Sequence, residues 1–231
     1  MELSVDNHSI FVIVPGYNEA LVIRQTIETL LEKNYSVVVV DDASTDNTRK
    51  VLLGLPVYYM RHLSNLGQGA SIRTGMELAL KKNAEYLVTF DADGQHDVND
   101  IEKMITLLQQ GKADIIFGSR FLQGAATNVH TSRKIVLKTA RLINYLASGI
   151  LLTDANNGLR AMTREAALKM QITETRSSHN AQVQNLVKKH QLKYTECPVN
   201  ISYSEYSKKK GLRNINSIRI LYDLILYKIF R

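Results

Sequence analysis

Two aspartates, Asp91 and Asp93, carry the strongest chemical signal in the sequence. They follow the apolar run 86–90, which is typical of a buried strand. Because the chain bends at a strand end, both carboxylates can turn toward one cation, and Gln95 offers a third oxygen nearby. Oxygen ligands of this kind suit Mg²⁺ or Mn²⁺, which in turn bind diphosphate oxygens. We therefore expect Asp91, Asp93 and Gln95 to hold a divalent metal, although Asp-x-Asp alone also occurs in ordinary turns.

The elements that must position this motif alternate between strand and helix over the first 120 residues. This alternation predicts an α/β fold with a mostly parallel, doubly wound sheet, in which ligands bind at the carboxyl ends of the strands. The four valines at 37–40 are too apolar for a sheet edge, so this strand should be interior and parallel. Strands are predicted at 10–14, 37–40, 57–60, 86–90 and 113–118, and helices at 18–33, 70–82 and 97–110, with a short helix that ends near Gly54.

Polar residues follow several of these strands at the edge where ligands are expected. The loop 65–69, Asn-Leu-Gly-Gln-Gly, is either a phosphate-binding loop or a plain turn, and the plain turn is favoured. His96 is either a neighbour of the metal and diphosphate or a surface-loop histidine. The residues at the predicted strand ends are Tyr17, Asn18, Glu19, Asp41, Asp42, Asn65, Gly67, Asp91 and Asp93.

The second half of the chain is less regular. The unusually apolar segment 133–152 predicts a helix, and the Asn-Asn-Gly sequence within 154–162 marks a turn or bulge. A helix at 181–190 and a strand at 193–199 follow. After three consecutive lysines, residues 215–230 predict a further helix with an apolar stripe.

Size and composition limit the class of protein. The 231 residues, 45% of them hydrophobic, can form one sizeable core, so we expect one domain at 1–206 and an appended segment at 207–231. Cys197 is the only cysteine, which excludes an intramolecular disulfide and fits a reducing cytoplasm. Residues 1–9 lack the features of a secretory signal, and no apolar run is long enough to span a bilayer. The sequence therefore predicts a soluble or peripheral protein.

The net charge of +7 is concentrated at the carboxyl end, because residues 207–231 contain seven basic residues and one acid. Such a segment indicates an anionic partner: lipid headgroups, phosphate or nucleic acid. Nucleic acid is disfavoured, because the segment lacks interleaved aromatic residues and a base-reading motif. The apolar stripe of 215–230 fits an anionic membrane surface and packing on the core or a sister subunit equally well, and the lysines at 208–210 are alternatively a solvated charge run.

Five motifs occur in an order that resembles family 2 glycosyltransferases of the GT-A fold. Within that family the chain is most similar to the dolichol- or polyprenyl-phosphate sugar transferases, and the stretch 197–211 resembles members from bacterial cell-envelope synthesis. The likeness covers roughly residues 8–165. The motifs are Val14-Pro15-Gly16-Tyr17-Asn18-Glu19, Val40-Asp41-Asp42-Ala43-Ser44-x-Asp46-x-Thr48, Asn65-x-Gly67-x-Gly69, Asp91-Ala92-Asp93-Gly94-Gln95-His96 and Gly118-Ser119-Arg120.

The resemblance implies roles on the donor side of the site. Asp91, Asp93 and Gln95 would hold Mg²⁺ or Mn²⁺ on the donor diphosphate, and Asp93 would be catalytic. Asp42 would contact the base or the ribose. The residues implied to bind the nucleotide sugar are Pro15, Tyr17, Glu19, Asp42, Gly67 and Asp91.

For the acceptor side of the site, the resemblance implies positively charged side chains. Arg120 and Arg133 would be catalytic and face the acceptor phosphate, and Lys210, in the lysine run 208–210, would bind acceptor or donor phosphate. The planar guanidinium group of arginine suits phosphate oxygens. A lipid monophosphate is mostly dianionic at pH 7, because its second pKa is about 6. It would therefore attack directly, without a base, and invert the anomeric configuration.

Two departures from the family pattern bear on the acceptor. Family members often have Ser-Gly where this chain has Asn157-Gly158. Relatives commonly carry a Glu on the helix before the last strand, where this chain has Gln182, and residues 181–186 contain no acid. A sugar hydroxyl would need a general base. The missing acid therefore disfavours a hydroxyl acceptor.

From the resemblance we expect an inverting, metal-dependent transferase that moves a sugar from UDP-glucose or UDP-N-acetylglucosamine, with GDP-mannose behind them, to polyprenyl (undecaprenyl) phosphate for surface polysaccharide. Two alternatives stay open: transfer to a hydroxyl of a lipid-linked saccharide, and a non-catalytic module that binds a nucleotide sugar or nucleic acid. The protein would be cytoplasmic and peripheral on the inner face of the cell membrane. It would bind an anionic membrane surface, a small membrane-protein partner or a second copy of itself.

Overall fold

A seven-stranded sheet forms the centre of the computed structural model, which describes residues 6–122, 145, 149–176 and 178–202. Its strands are β1 (Ile10–Gly16), β2 (Ser36–Asp41), β3 (Tyr58–Arg61), β4 (Tyr86–Thr89), β5 (Ile115–Ser119), β6 (Arg160–Thr163) and β7 (Tyr194–Pro198). Their order across the sheet is β3-β2-β1-β4-β6-β5-β7. Neighbours are parallel except β6, which is antiparallel to both β4 and β5. The predicted α/β fold with a mostly parallel sheet is confirmed.

Helices pack on both faces of this sheet. Side chains alternate along the strands, so Val12 and Val39 belong to one apolar core and Ile13 and Val38 to the other. The α-helices with both ends in the described ranges are α1 (Ile23–Glu32), α2 (Thr48–Val51), α3 (Gln68–Lys81), α4 (Asn99–Gln109), α5 (Arg164–Lys169) and α6 (His179–Lys189). The first core is closed by α1 and α4, and the second by α3, α5 and α6.

Strand β2 is interior, as its four valines predict. It pairs in parallel with β1 on one side and with β3 on the other, and residues 37–40 are at most 1% exposed. Burial on both faces explains why its apolar run is continuous rather than alternating. The carboxyl ends of β1, β2 and β4 consequently meet at one edge of a rigid sheet.

Helix α1 begins later than the sequence indicates. The prediction placed its start near residue 18, whereas the helix begins at Ile23. Asn18 has a φ of 56°, outside the helical region, and its backbone N–H donates to Ser44 Oγ at 2.9 Å. The chain between β1 and α1 is therefore a loop held by the neighbouring β2–α2 connection.

Strand β6 and helix α5 have no clear signal in the sequence. The strand has only four residues, Arg-Ala-Met-Thr, and starts with an arginine that is 2% exposed. The strand is buried because it lies between β4 and β5. This position depends on tertiary pairing and cannot be predicted from the propensity of its four residues. Helix α5 follows directly and is capped by Thr163, whose Oγ1 accepts from Ala166 N at 3.2 Å.

Several predictions for the second half fall partly or wholly outside the described residues. The predicted helix 133–152 is wrong at its carboxyl end, because residues 149–152 are not helical although Tyr145 is. The rest of that segment, the boundary at residue 206 and the predicted helix 215–230 lie outside the described residues. Among the helices that the structure describes, none is both long and apolar enough to cross a bilayer.

Candidate active site

A cleft of about 490 Å³ opens at the carboxyl ends of β1, β2 and β4. This is the edge at which parallel α/β sheets bind ligands. The cleft contains every residue of the described ranges that the sequence assigns to the nucleotide sugar. Its lining consists of Pro15, Gly16, Tyr17, Glu19, Asp42, Asn65, Gly67, Gln68, Ser71, Asp91, Ala92 and Asp93. Gln68 and Ser71 lie at the start of α3, and the sequence assigns neither residue to the nucleotide sugar.

The loop after β1 is fixed by hydrogen bonds to the loop after β2. Asn18 Oδ1 accepts from Thr45 N at 2.8 Å, and Glu19 N donates to Thr48 Oγ1 at 2.9 Å. These bonds place Tyr17, which is 42% exposed, and the buried Glu19 at the cleft wall. The Asp-Asp-Ala-Ser-Thr-Asp motif therefore shapes the donor side by holding the neighbouring loop.

The adjacent residues Asp41 and Asp42 have different surroundings. Asp41 is fully buried and accepts from Ser44 N at 2.7 Å, Tyr59 Oη at 2.5 Å and Arg61 at 2.9 Å. Burial raises the pKa of Asp41, but the hydrogen bonds from Ser44 and Tyr59 and the charge of Arg61 outweigh it, so the net pKa is lowered. Asp41 is thus a structural carboxylate.

Asp42 lines the cleft and also shapes the 65–69 loop. Its Oδ1 accepts from Leu66 N at 2.9 Å and lies 2.7 Å from His62 Nδ1, and its Oδ2 accepts from Gly67 N at 2.7 Å. The contact with base or ribose that the sequence implies stays a prediction. The structure adds a second task for this carboxylate, which is to hold the loop that leads into α3.

The glycines of the 65–69 loop have a packing explanation. Gly67 has a φ of 99°, and a Cβ there would overlap the carbonyl oxygen of Thr175. A Cβ on Gly69 would lie 2.8 Å from His179 Cβ, and Gly69 N donates to Thr175 O at 2.8 Å. The glycines let residues 174–176 cross closely over the start of α3. A plain structural turn accounts for this motif without a phosphate.

Asp91 and Asp93 emerge together at the end of β4. Asp91 Oδ1 accepts from Gln68 Nε2 at 2.9 Å, and Asp91 Oδ2 lies 3.3 Å from His96 Nε2. Asp93 Oδ1 accepts from the backbone N–H of Gln95 at 3.1 Å, and its Oδ2 accepts from Gln95 Nε2 at 2.5 Å. The amide nitrogen of Gln95, not its oxygen, faces Asp93, so Gln95 would have to turn its carboxamide to ligate a metal.

The two carboxylates together form an electronegative site. Burial and the charge of Asp91 raise the pKa of Asp93 to about 6. Burial also raises the pKa of Asp91, but the hydrogen bond with His96 and the charges of His96 and Arg160 outweigh it and lower the net value. A divalent cation would relieve the repulsion between these groups.

The carboxylates Asp91 and Asp93 suit a Mg²⁺ or Mn²⁺ ion whose other ligands come from a substrate. Among the described residues, no three His, Cys, Asp or Glu side chains converge into a complete metal cage. Mg²⁺ is commonly bound by one or two carboxylates together with substrate phosphates. Asp91 and Asp93, both in the wall of the 490 Å³ cleft, match that arrangement.

A second cavity, of about 90 Å³, shares Asp91 and Asp93 with the cleft. Arg120 lines this cavity, and its role toward the acceptor phosphate stays a prediction. The guanidinium group is bound by Asp154, with Nε 2.6 Å from Oδ2 and Nη2 2.7 Å from Oδ1. The full lining is Asp91, Asp93, Gln95, His96, Arg120, Asn156, Asn157, Gly158 and Ile201.

A buried arginine, Arg160, interacts electrostatically with Asp91, and no feature of the sequence indicates this position. Arg160 on β6 donates to Asn180 Oδ1, and its Nε has no hydrogen-bond partner among the residues described. Burial lowers the pKa of Arg160 to about 10, and burial together with the charge of Arg160 lowers the pKa of His179 to about 4. Arg160 therefore supplies a fixed positive charge near Asp91.

Gln182 holds a loop and lines neither cavity. Its Oε1 accepts from Thr173 N at 3.0 Å and from Glu174 N at 2.8 Å, and its Nε2 donates to Thr173 Oγ1 at 2.6 Å. The position at which relatives commonly carry a Glu is thus occupied by an amide that holds the loop 173–174. Two implied acceptor residues, Arg133 and Lys210, lie outside the described residues.

Comparison with known proteins identifies the family of the chain. The model of the family described as glycosyl transferase family 2 matches residues 11–170. An uncharacterized protein of Methanocaldococcus jannaschii is 36% identical over 230 residues, which cover 98% of this chain and 95% of that protein. The UDP-N-acetylglucosamine–dolichyl-phosphate N-acetylglucosaminyltransferase of Methanococcus voltae is 30% identical over 240 residues, covering 95% of this chain and 96% of that enzyme.

A solved structure shares the fold. Glucosyl-3-phosphoglycerate synthase from Mycobacterium tuberculosis, crystallised with Mn²⁺, uridine diphosphate and glucosyl-3-phosphoglycerate, superposes with a TM-score of 0.66 at 14% identity. The match covers 93% of this chain and 79% of that chain. The expected GT-A fold is thereby confirmed, and the non-catalytic alternative loses its support. This chain belongs to glycosyl transferase family 2 and is a glycosyltransferase.

Proposed function

We propose that this glycosyltransferase moves a sugar from a uridine-diphosphate sugar to the phosphate of a polyprenyl lipid, with inversion at the anomeric carbon. One observation carries the proposal. Asp91 and Asp93 line both the 490 Å³ cleft and the 90 Å³ cavity. A diphosphate in the cleft and an acceptor in the cavity would therefore meet at the same two carboxylates.

The donor assignment rests on the cleft and on one relative. A volume of about 490 Å³ is within the usual range of small-molecule sites. The Methanococcus voltae relative is named for transfer from UDP-N-acetylglucosamine to dolichyl phosphate. We therefore favour UDP-N-acetylglucosamine, with UDP-glucose next and GDP-mannose behind them. A mannosyltransferase that acts on undecaprenyl phosphate is also a relative, at 29% identity over 66% of this chain.

Asp91 and Asp93 would hold a divalent metal on the donor. The structural neighbour was crystallised with Mn²⁺ in one case and with Mg²⁺ in another. A bound metal stabilises the negative charge that develops on the departing nucleoside diphosphate. Gln68 and His96, which hydrogen bond to the two oxygens of Asp91, would fix the direction of this carboxylate.

A phosphate acceptor in the smaller cavity would depend on Arg120 and on the divalent metal proposed at Asp91 and Asp93, because the metal would neutralise these two carboxylates. In the part of the cavity lining that the structure describes, Asp91 and Asp93 are the only carboxylates and Arg120 is the only arginine or lysine. A phosphate monoester is mostly dianionic at pH 7, so it needs positioning by cations rather than a base. Arg120, Arg133 and Lys210 are the residues we assign to this task, the last two on sequence grounds alone.

A second candidate function, transfer to a hydroxyl of a lipid-linked saccharide, is favoured by His96. His96 lines the smaller cavity, and its Nε2 lies 3.3 Å from Asp91 Oδ2. Histidine is the commonest general base in enzymes, and a hydroxyl acceptor would need one. The two candidates differ in the product, which is a sugar phosphate in the first case and an extended glycan in the second.

The transfer assay separates these functions. The full chain would be incubated with Mg²⁺, a radiolabelled UDP-sugar and either polyprenyl phosphate or a lipid-linked saccharide, followed by organic extraction. Acid-labile label in the lipid fraction with polyprenyl phosphate supports the proposal. Label that appears only with the lipid-linked saccharide supports the second candidate, and no label with either acceptor contradicts both.

We also propose that the enzyme is peripheral on the inner face of the cell membrane, where its product would serve surface polysaccharide synthesis. The support is the charge of residues 207–231, because each basic residue near an anionic leaflet contributes about 1 kcal/mol of binding free energy. Deletion of residues 213–231 should release the protein from anionic liposomes in a sedimentation assay. If the truncated, folded protein sediments as well as the full chain, this segment instead packs on the core, a partner protein or a second copy.

A further inference from the structure

Asp154 is a buried aspartate that lines neither cavity but binds two residues that do. Its side chain is 1% exposed, and its carboxylate contacts Arg120 and Asn157. Both partners belong to the wall of the 90 Å³ cavity, where the proposed acceptor phosphate would lie. Burial of a charged carboxylate lowers the stability of the fold unless the carboxylate is paired. The partners of Asp154 therefore indicate its role.

The bond between Asp154 and Arg120 fixes the plane of the guanidinium group. Nε of Arg120 is 2.6 Å from Oδ2, and Nη2 is 2.7 Å from Oδ1. The backbone N–H of Arg120 also donates to Oδ2 at 3.1 Å. Three contacts to one carboxylate, two of them in the fork geometry of an arginine–carboxylate pair, leave the side chain little freedom to rotate.

Asp154 is itself held rigidly from the other side. Glu196 on β7 uses one oxygen, Oε1, to accept from Asp154 N at 3.2 Å and from Thr153 N and Oγ1, each at 2.7 Å. Thr153 Oγ1 also lies 2.5 Å from Ser119 Oγ, on the strand that leads into Arg120. The sheet thus anchors both partners of the pair.

We infer that Asp154 is a positioning residue, which aims the Arg120 guanidinium group at the acceptor in the smaller cavity. The inference rests on the proposed function, because it takes the acceptor group in that cavity to be a phosphate monoester. Asp154 touches no substrate in this account and acts only through Arg120. Loss of its fork geometry would leave Arg120 charged but no longer oriented.

The substitution Asp154→Asn tests this role selectively. An asparagine oxygen at the place of Oδ2 can still accept from Arg120 N, Arg120 Nε and Asn157 Nδ2, which all bind that oxygen. The amide nitrogen would replace Oδ1 and face Arg120 Nη2, so two donors would meet where one bond existed. The variant therefore disturbs the guanidinium group while it preserves the turn at Asn157.

The experiment is a double-mutant cycle on the full chain with Asp154→Asn, Arg120→Gln and both together. Because displacement of a reacting group by about 1 Å can lower the rate about 100-fold, we expect each single variant to lower kcat/KM for polyprenyl phosphate about ten- to a hundredfold. The double variant should be no worse than Arg120→Gln alone. The dissociation constant for the UDP-sugar, measured by calorimetry, should change less than about twofold.

A matched control is Asp114→Asn. Asp114 precedes β5, accepts from Lys193 N at 2.7 Å and lines neither cavity, so it reports the loss of an ordinary aspartate hydrogen bond. Its kcat/KM for the acceptor should equal that of the wild type. A loss similar to that of Asp154→Asn would mean that destabilisation alone explains the effect, and the inference would be overturned.

The inference and the proposed function fail in different ways. If the wild type transfers only to a lipid-linked saccharide, the proposed acceptor is wrong, whereas non-additivity measured with that saccharide still supports the action of Asp154 through Arg120. If the wild type uses polyprenyl phosphate but the two single effects multiply in the double variant, the inference is overturned and the proposed function stands. Equal changes in donor affinity and acceptor KM would also overturn the inference.

Discussion

Gly158 lies directly against the carboxylate of Asp91. A Cβ atom at position 158 would overlap Asp91 Oδ2 and lie 2.6 Å from Oδ1. The carbonyl oxygen of Gly158 also accepts from Thr89 Oγ1 at 2.6 Å, on the strand that ends two residues before Asp91. The turn before β6 therefore supports a carboxylate that we assign to the metal, and it can do so only without a side chain at this position.

The substitution Gly158→Ala should weaken the metal site. The added methyl group must displace the Asp91 carboxylate, so we expect Mn²⁺ affinity in the presence of UDP, measured by calorimetry, to fall at least about tenfold, with a parallel loss of transfer. Gly111→Ala is the control, because a Cβ at residue 111 meets nothing within 4 Å. Wild-type Mn²⁺ affinity in Gly158→Ala would show that this contact does not orient Asp91.

Substitutions at two glycines with similar backbone φ angles should distinguish the effect of conformational strain on stability from the effect of close packing. Gly54 and Gly67 have φ values of 83° and 99°, but a Cβ at residue 54 meets open space and one at residue 67 overlaps Thr175 O. Gly54→Ala should lower the free energy of unfolding by about 1 kcal/mol through strain alone. Gly67→Ala should lose about 1–3 kcal/mol more, because the overlap adds to the strain. Equal losses in urea unfolding would argue against close packing of residues 174–176 on this loop.

Gln182 should be important for stability rather than for proton transfer. Gln182→Leu would remove the acceptor of the part-buried hydrogen bonds from Thr173 N and Glu174 N, which should lower the free energy of unfolding by about 1–2 kcal/mol. Gln182→Glu keeps an oxygen for both donors and should lose clearly less in the same urea titration. An unchanged unfolding midpoint in Gln182→Leu would contradict the structural role.

Asp41 should make stability depend on pH in the acid range. Its pKa is lower in the folded state than in the unfolded state, so its contribution is complete above the unfolded-state pKa of about 4. That contribution is lost as the pH falls through the folded-state value. Asp41→Asn should therefore be less stable than the wild type at pH 7, by about 2–3 kcal/mol, and the difference should shrink by pH 3. A constant difference at both pH values would contradict this assignment.

The residues that meet in the larger cleft could be predicted from the sequence because they belong to local motifs. Asp91 and Asp93 follow an apolar strand, and the rule that ligands bind at the carboxyl ends of parallel strands brings Tyr17 and Asp42 beside them. The continuous valines of β2 likewise identify an interior strand without any knowledge of its neighbours. These features depend on adjacent residues or on one general rule of topology.

The features that the sequence did not reveal depend on contacts between distant segments. Arg160 begins a short strand whose burial comes from β4 and β5, and nothing in Arg-Ala-Met-Thr indicates an interior position. The role of Gly158 depends on where β4 ends, and that of Gln182 on a loop nine residues before it. Asp154 gains its role only when β5 brings Arg120 alongside it. Tertiary pairing, not local propensity, determines all four positions.

Metal-dependent transfer by the wild type and by Asp93→Ala tests most directly whether Asp91 and Asp93 act through a divalent cation. The full chain would be assayed with a radiolabelled UDP-sugar and polyprenyl phosphate, with Mg²⁺ and with excess chelator, and circular dichroism would check the fold. Asp97→Ala is the matched control, because Asp97 accepts from Asn99 N at 2.9 Å and lines neither cavity.

We expect the wild type and Asp97→Ala to label the lipid only when Mg²⁺ is present, and the folded Asp93→Ala variant to lose transfer by at least about 100-fold. Wild-type transfer that persists in excess chelator, or a folded Asp93→Ala variant with normal activity, would contradict the proposal that Asp91 and Asp93 act through a divalent metal.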